Sequence, residues 1–186
     1  PVDASAPGPI HMRQDDTFDF SSERRSTIWT VGHSTRPIEE FLEILQSASI
    51  TAVADVRRFP GSRRYPQYNQ QALADSLATA GMKYVWLPEL GGRRQPRSDS
   101  PHMAWRNASF RGYADHMDTD AFEQGIDRVR ALAEDGRVAL MCSEALWWQC
   151  HRSLISDYLK IRGYCVIHLL APNKHEEHPY TAAAQI

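Results

Sequence analysis

Between Thr27 and Ala171 the chain alternates short apolar runs with longer stretches in which apolar residues recur every three or four positions. The runs "TIWTV", "TAVADV", "KYVWL", "RVALMC" and "YCVIHL" predict five strands. The stretches between them predict helices. Ile38, Phe41, Leu42 and Leu45 share a face, with Ser34 or Thr35 as the cap and Pro37 and Glu39 in the first turn. Residues 70 to 80 turn Leu73 and Leu77 inward, and a helix from about Asp120 to Glu134 carries Phe122, Ile126, Val129 and Leu132. After the fourth run, Leu154, Ile155, Tyr158 and Leu159 line one face, and Gly163 ends that helix. This alternation predicts a single α/β domain: a mostly parallel five-stranded sheet with helices on both faces, joined by right-handed crossovers. Residues 1–26 read as a leader ("PVDASAPGPIHM", natural start near Met12) and a loose arm, 27–172 as the domain and 173–186 as a polar tail. The connection from Pro88 to Gly112 is too long for a plain loop and is either functional or mobile.

Composition adds limits. With 186 residues, 42% hydrophobic and 24% charged, the chain suffices for one domain with a sizeable core. No apolar run is long enough to cross a membrane, so no membrane partner is expected. Cys142, Cys150 and Cys165 are too sparse for a secreted disulfide framework, which gives a cytoplasmic expectation. A net charge of −2 excludes a generic polyanion binder. Residues 57–112, however, hold nine Arg and one Lys against only Asp75, Glu89 and Asp99. Arginine suits bidentate contact with carboxylate or phosphate.

In open α/β sheets ligands bind beyond the carboxyl ends of the strands. The chemically rich segments fall there: "GHST" with His33; "DVRRFPGSRR" with Asp55, Arg57, Arg58, Ser62, Arg63 and Arg64; "PELGGRR" with Glu89, Gly91, Gly92, Arg93 and Arg94; "CSEALWWQCHR" with Cys142, Glu144, Trp147, Trp148, Cys150, His151 and Arg152; and His168 after the fifth. The opposite edge carries plain turns. Each residue also has a bland reading. His33 fits a backbone hydrogen bond, Asp55 an ion pair with Arg57, and His151 a core position beside Leu154 and Ile155. The tryptophans fit packing and Cys165 a buried strand position. Cys142 at the ligand edge and Cys150 in the first helical turn, where the macrodipole favours thiolate, stand out as nucleophiles or as a reversible disulfide. A zinc site from Cys142, Cys150, His151 and His33 matches no common spacing. No cofactor is expected, and a metal is left open.

"TVGHST", "DVRRFPGSRR", "LPELGGRR", "FRGYADHM" (with Tyr113) and "LMCSEALWWQCHRSLISDYL", in this order, resemble the domain-of-unknown-function 488 family from Thr27 to about Thr181. That resemblance implies one α/β domain with a site at these residues, and no particular reaction. A weaker, partial likeness is to rhodanese-type domains, through "AVADVR" and "VALMC". Arg152, ten residues after Cys142, departs from their short cysteine loop. The leading functional expectation is an enzyme with an electropositive cleft that uses Cys142 or Cys150 on a phosphate- or nucleotide-like anion. His33, Glu144, Asp55 and His151 are its candidate acid–base groups, the arginines its clamps, and Trp147 and Trp148 a stacking surface. The alternatives are a non-catalytic nucleic-acid-binding module and a rhodanese-like sulfurtransferase. The sequence leaves the oligomeric state open.

Overall fold

The five apolar runs are strands, β1 (Thr27–Gly32), β2 (Ala52–Asp55), β3 (Lys83–Trp86), β4 (Val138–Cys142) and β5 (Cys165–Ala171). The computed structural model describes residues 26–183, so the expected leader and nearly all of the arm lie outside the described residues. A sixth strand, β6 (Lys174–Glu177), lies within the stretch read as a polar tail and pairs antiparallel with β5. Its four residues are all exposed, so it has no buried alternation to betray it. The strand order is β3-β2-β4-β1-β5-β6, and every pairing except the last is parallel.

Five helices cover the sheet: α1 (Ile38–Ser47), α2 (Gln70–Thr79), α3 (Ala108–Met117), α4 (Asp120–Asp135) and α5 (Arg152–Ile161). Alternate residues of each strand serve opposite faces. Trp29, Val31, Val53, Ala139 and Met141 pack with Phe41, Ile44 and Leu45 of α1 and Leu73 and Leu77 of α2. Ile28, Ala54, Leu140 and Val166 pack with Phe122, Ile126 and Val129 of α4 and Leu154, Ile155 and Leu159 of α5. Burial of each large side chain is worth about 1.5–3 kcal/mol. The connections from β1 to β3 step one way along the sheet and the later ones step back, and α1 and α2 lie opposite α4 and α5.

Two helix starts differ from expectation. Neither Ser34 nor Thr35 caps α1. Pro37 precedes it, and Ser34 takes a left-handed φ of 53°. The cause is continued pairing beyond β1: His33 N–H donates to the Cys142 carbonyl at 3.0 Å and Ser34 N–H to that of Ser143 at 2.9 Å. The long connection after β3 contains α3, capped by the Asn107 side chain, which accepts from the N–H of Ser109 and Phe110.

Candidate active site

A cleft of about 680 Å³ opens above the carboxyl ends of β1, β2 and β4, at the centre of the sheet. Four of the five rich segments meet there. His33, Arg57, Arg58, Ser62, Gly92, Arg93, Tyr113, Cys142, Glu144, Cys150 and His151 line it. Phe59, Ser109 and Phe110 join them; Phe59 and Phe110 fall within the segments that carry the family resemblance, though the chemistry of their side chains singled out none of the three. The fifth segment contributes nothing to the lining. His168 lies inside β5, which runs on to Ala171, and is buried beneath the sheet edge.

The other expected residues are placed elsewhere. Trp147 is buried and stacks on His168 with ring centroids 4.4 Å apart; Trp148 is exposed, and neither faces the cleft. Arg63 and Arg64 are exposed outside the lining, and the half-buried Arg94 donates to the Gly91 carbonyl at 3.0 Å. Gly91 packs against Arg58 rather than the cleft. Arg152, expected as an anion clamp, is 1% exposed and sits under the floor. Cys150 precedes α5 instead of lying in its first turn, since the helix begins at Arg152. Cys165, expected in the core, is only half-buried, at the first position of β5.

Beneath the cleft Asp55 is fully buried and forks onto Arg57, with an Nη2–Oδ2 distance of 2.6 Å; the Tyr84 hydroxyl donates to the same carboxylate at 2.7 Å. Arg57 also donates to the Tyr68 carbonyl at 2.8 Å and lies 3.3 Å from His33 Nε2. Because a guanidinium only donates, His33 Nε2 is the acceptor. His33 Nδ1 then carries the proton and donates to the Ser34 carbonyl at 2.8 Å. Both ring nitrogens are thus engaged, and the ring stacks on Tyr68. Burial, reinforced by the Arg57 charge, pushes the His33 pKa down to about 4.

This has a measurable consequence. His168 is likewise held neutral: burial, with His178 and Arg152 nearby, takes it down to about 2. In the unfolded chain both rings would titrate near 6.5, so the unfolded state binds more protons between that pH and the depressed values. Stability from these rings is complete above pH 6.5 and declines as pH falls through 4, by on the order of 3 kcal/mol for His33 alone. Thermal melts across this range check it. An unchanged Tm from neutrality to pH 4 would contradict neutral burial of His33.

The floor also brings two sulfurs together. Cys142 Sγ, Cys150 Sγ and a His151 ring nitrogen all lie within 4.8 Å of one another, and Cys150 Sγ is 3.6 Å from His151 Nδ1. His151 Nε2 lies 3.0 Å from the Val56 carbonyl, which can only accept. The Nε2 proton is therefore fixed, and the Nδ1 lone pair faces the thiols. His151 is half-buried at the cleft and not a core residue beside Leu154. Gly92 leaves room for it, since a Cβ there would come 2.7 Å from Nδ1.

The two thiols and the buried Arg152 bear on one another's protonation. Among the described residues this buried guanidinium has no carboxylate partner; it donates to the Glu144 carbonyl and to Thr30 Oγ1, and its Nε has no partner. A buried charge without compensation is strongly disfavoured. Burial raises the Cys150 pKa, but the Cys142 thiol, the Arg152 charge and the Arg152 backbone N–H outweigh it and hold Cys150 down at about 6. Hydrogen bonding to Cys150, with burial, pushes Cys142 up to about 12. One negative charge on Cys150, held by the Cys142 S–H and facing Arg152, satisfies all three groups.

The match to known families follows these residues. A family model described as domain of unknown function DUF488 matches residues 37–159, more than half of the chain. The chain belongs to the DUF488 family. Among the curated proteins and the solved structures, no match was found. In this DUF488 chain the matched span takes in the cleft segments after β2, β3 and β4, leaving His33 and β6 outside. Cys142, Cys150 and His151 could in principle hold a metal, but His33, with both nitrogens engaged, does not complete the set. The guanidinium groups of Arg57 and Arg152 beside the sulfurs oppose a dication and suit an anionic sulfur. No helix among the described residues is long and apolar enough to cross a membrane.

Proposed function

We propose that this protein is an enzyme that binds a phosphate- or nucleotide-like anion in the cleft and attacks it with the Cys150 thiolate. The carrying observation is the position of Cys150 between an uncompensated buried guanidinium and the His151 Nδ1 lone pair. Cys150 already carries its negative charge, so it attacks without first losing a proton. Sγ then forms a bond to the phosphorus while the bond to the leaving group breaks, and the leaving group takes a proton from solvent. Water that gives a proton to the His151 Nδ1 lone pair then displaces Sγ from the phosphorus, which frees the phosphate product and restores the Cys150 thiolate, and His151 releases the proton to solvent. Cys142 keeps its proton and serves as a hydrogen-bond donor. At the rim, Arg58 and Arg93 are exposed, and the Arg58 side chain donates to the Arg93 carbonyl at 3.1 Å, which holds two cations near one mouth. The exposed ring of Phe59 beside Arg58 offers a stacking face that neither tryptophan provides, and this supports the second reading, a nucleic-acid-binding surface.

Two alkylating agents of like size separate these readings. Iodoacetate is an anion and iodoacetamide is neutral. At pH 7, above the Cys150 value of about 6, Cys150 should be labelled before the more exposed Cys165, and the rate should fall as pH drops through 6. Iodoacetate should outpace iodoacetamide at Cys150 by about tenfold relative to a free thiol, as steering into a basic cleft predicts. Millimolar phosphate should suppress that preference, and Arg58→Ala with Arg93→Ala should remove it. Faster labelling of Cys165, with no preference for the anion, would overturn the proposal. Oligonucleotide binding that survives Cys150→Ser, without turnover in the parent, would favour the binding module. Sulfur transfer from thiosulfate to cyanide would favour the rhodanese-like alternative.

A further inference from the structure

We propose that Thr30, His168, His178 and Asp157 are positioning residues, a buried chain that fixes the guanidinium of Arg152 and through it the Cys150 thiolate. The proposal rests on the thiolate reading of Cys150 given above. The chain begins where β6 ends. Asp157 Oδ1 lies 2.9 Å from His178 Nε2, His178 Nδ1 2.9 Å from His168 Nε2, and His168 Nδ1 2.7 Å from Thr30 Oγ1. Arg152 Nη1 donates to Thr30 Oγ1 at 3.4 Å. Thr30, His168 and His178 are at most 1% exposed, and Asp157 is 5% exposed.

The proton positions follow from donor and acceptor chemistry. Arg152 can only donate, so it occupies a Thr30 lone pair. The Thr30 hydroxyl proton then needs an acceptor, and among the described residues His168 Nδ1 is the one within reach. His168 therefore carries its proton on Nε2 and donates to His178 Nδ1. His178 in turn carries a proton on Nε2 and donates to the Asp157 carboxylate. The opposite polarity would leave the Thr30 hydroxyl proton with nothing to bond. Every link thus points from Arg152 toward Asp157, and such chains strengthen link by link in a low-dielectric interior. The far carboxylate is held in place by Thr181, whose N–H donates at 2.9 Å and whose hydroxyl donates at 2.5 Å. Trp147 closes one side by stacking on His168 and donating its indole N–H to Glu176 of β6 at 2.5 Å.

This gives the last strand a role in the site. His178 N–H donates to the Val166 carbonyl at 2.8 Å, so pairing of β6 with β5 sets the height of its ring, and the ring sets the chain. With Nε unpartnered, the guanidinium is held by the Glu144 carbonyl on one side and by Thr30, and so by the chain behind it, on the other.

The test uses the whole protein and the pH dependence of Cys150 alkylation by iodoacetamide. Thr30→Val removes the hydroxyl at nearly constant shape. It should raise the midpoint by about half a pH unit or more, since one such unit equals the loss of about 1.4 kcal/mol of thiolate stabilisation. Thr30→Ser keeps the hydroxyl and should restore the parent midpoint. His168→Phe, which breaks the next link, should shift it in the same direction and serves if Thr30→Val does not fold. An acidic Cys150 in the parent that stays equally acidic in Thr30→Val and His168→Phe, even with a lower Tm, would show the chain to be structural only. A parent midpoint at the ordinary thiol value would overturn the thiolate reading instead. Nitrogen-15 NMR of the imidazoles decides the polarity independently of the thiol: both rings should carry hydrogen on Nε2 and a bare Nδ1, and the reverse tautomer at His168 would overturn the proposal.

Discussion

Arg57→Met should destabilise the fold by about 3–5 kcal/mol, the cost of leaving one member of a buried pair charged and alone. Asp55 is fully buried, and three of its hydrogen bonds come from the Arg57 side chain. The Arg57 backbone N–H and the Tyr84 hydroxyl remain, which is too little for a carboxylate at that depth. For a domain of this size the loss corresponds to a Tm decrease of about 10 °C. The substitution also frees His33 Nε2 and the Tyr68 carbonyl, both held by the same guanidinium. Pairing it with Asp55→Leu should recover part of the loss, because the uncompensated charge goes with it. Urea denaturation of both variants measures this. A single variant within about 1 kcal/mol of the parent would mean that the pair does not act as one.

Gly32→Ala should have an effect of similar size and a second, chemical one. A Cβ at Gly32 would lie 1.8 Å from the carbonyl oxygen of Glu144 and 2.6 Å from its carbon, both backbone atoms. The loop after β4 must then move. That carbonyl accepts from Arg152, so displacing it costs the guanidinium one of its few partners. Overpacking alone is typically worth about 1–3 kcal/mol and more against backbone. The distinguishing result is a Cys150 alkylation midpoint raised above its depressed value of about 6 in protein that is still folded, as judged by circular dichroism at low temperature. An unchanged midpoint would mean that the Glu144 carbonyl contributes nothing to the thiolate.

These two positions also show how far the sequence could be read. Asp55 and Arg57 stand two apart after an apolar run, and an ion pair was one plain reading of them; only their depth was hidden. The strands and four of the helices follow from periodicity because Phe41, Leu73, Phe122 and Leu154 repeat at the spacing of a buried face. α3 was not legible, because its five buried residues include Gly112, Asp115 and His116, which carry no apolar signal. β6 was not legible because a fully exposed edge strand has no pattern. Convergence of Cys142, Cys150 and His33 on one cleft was foreseeable from strand ends alone. The displacement of Arg152 below that cleft was not, since burial of an arginine depends on partners such as Thr30 that lie far away in the chain.

The charged strand β6 bears on how molecules of this protein meet one another. Without it β5 would be the border of the sheet, offering unpaired backbone groups along an apolar strand to any neighbour. Such a border recruits strands from other chains and seeds aggregation. Lys174, His175, Glu176 and Glu177 occupy that border with polar, exposed side chains, and Lys160 ties Glu177 and the His178 carbonyl back to α5. Among the described residues the sheet therefore ends on a short, polar and exposed strand, the kind of border that disfavours edge-to-edge pairing.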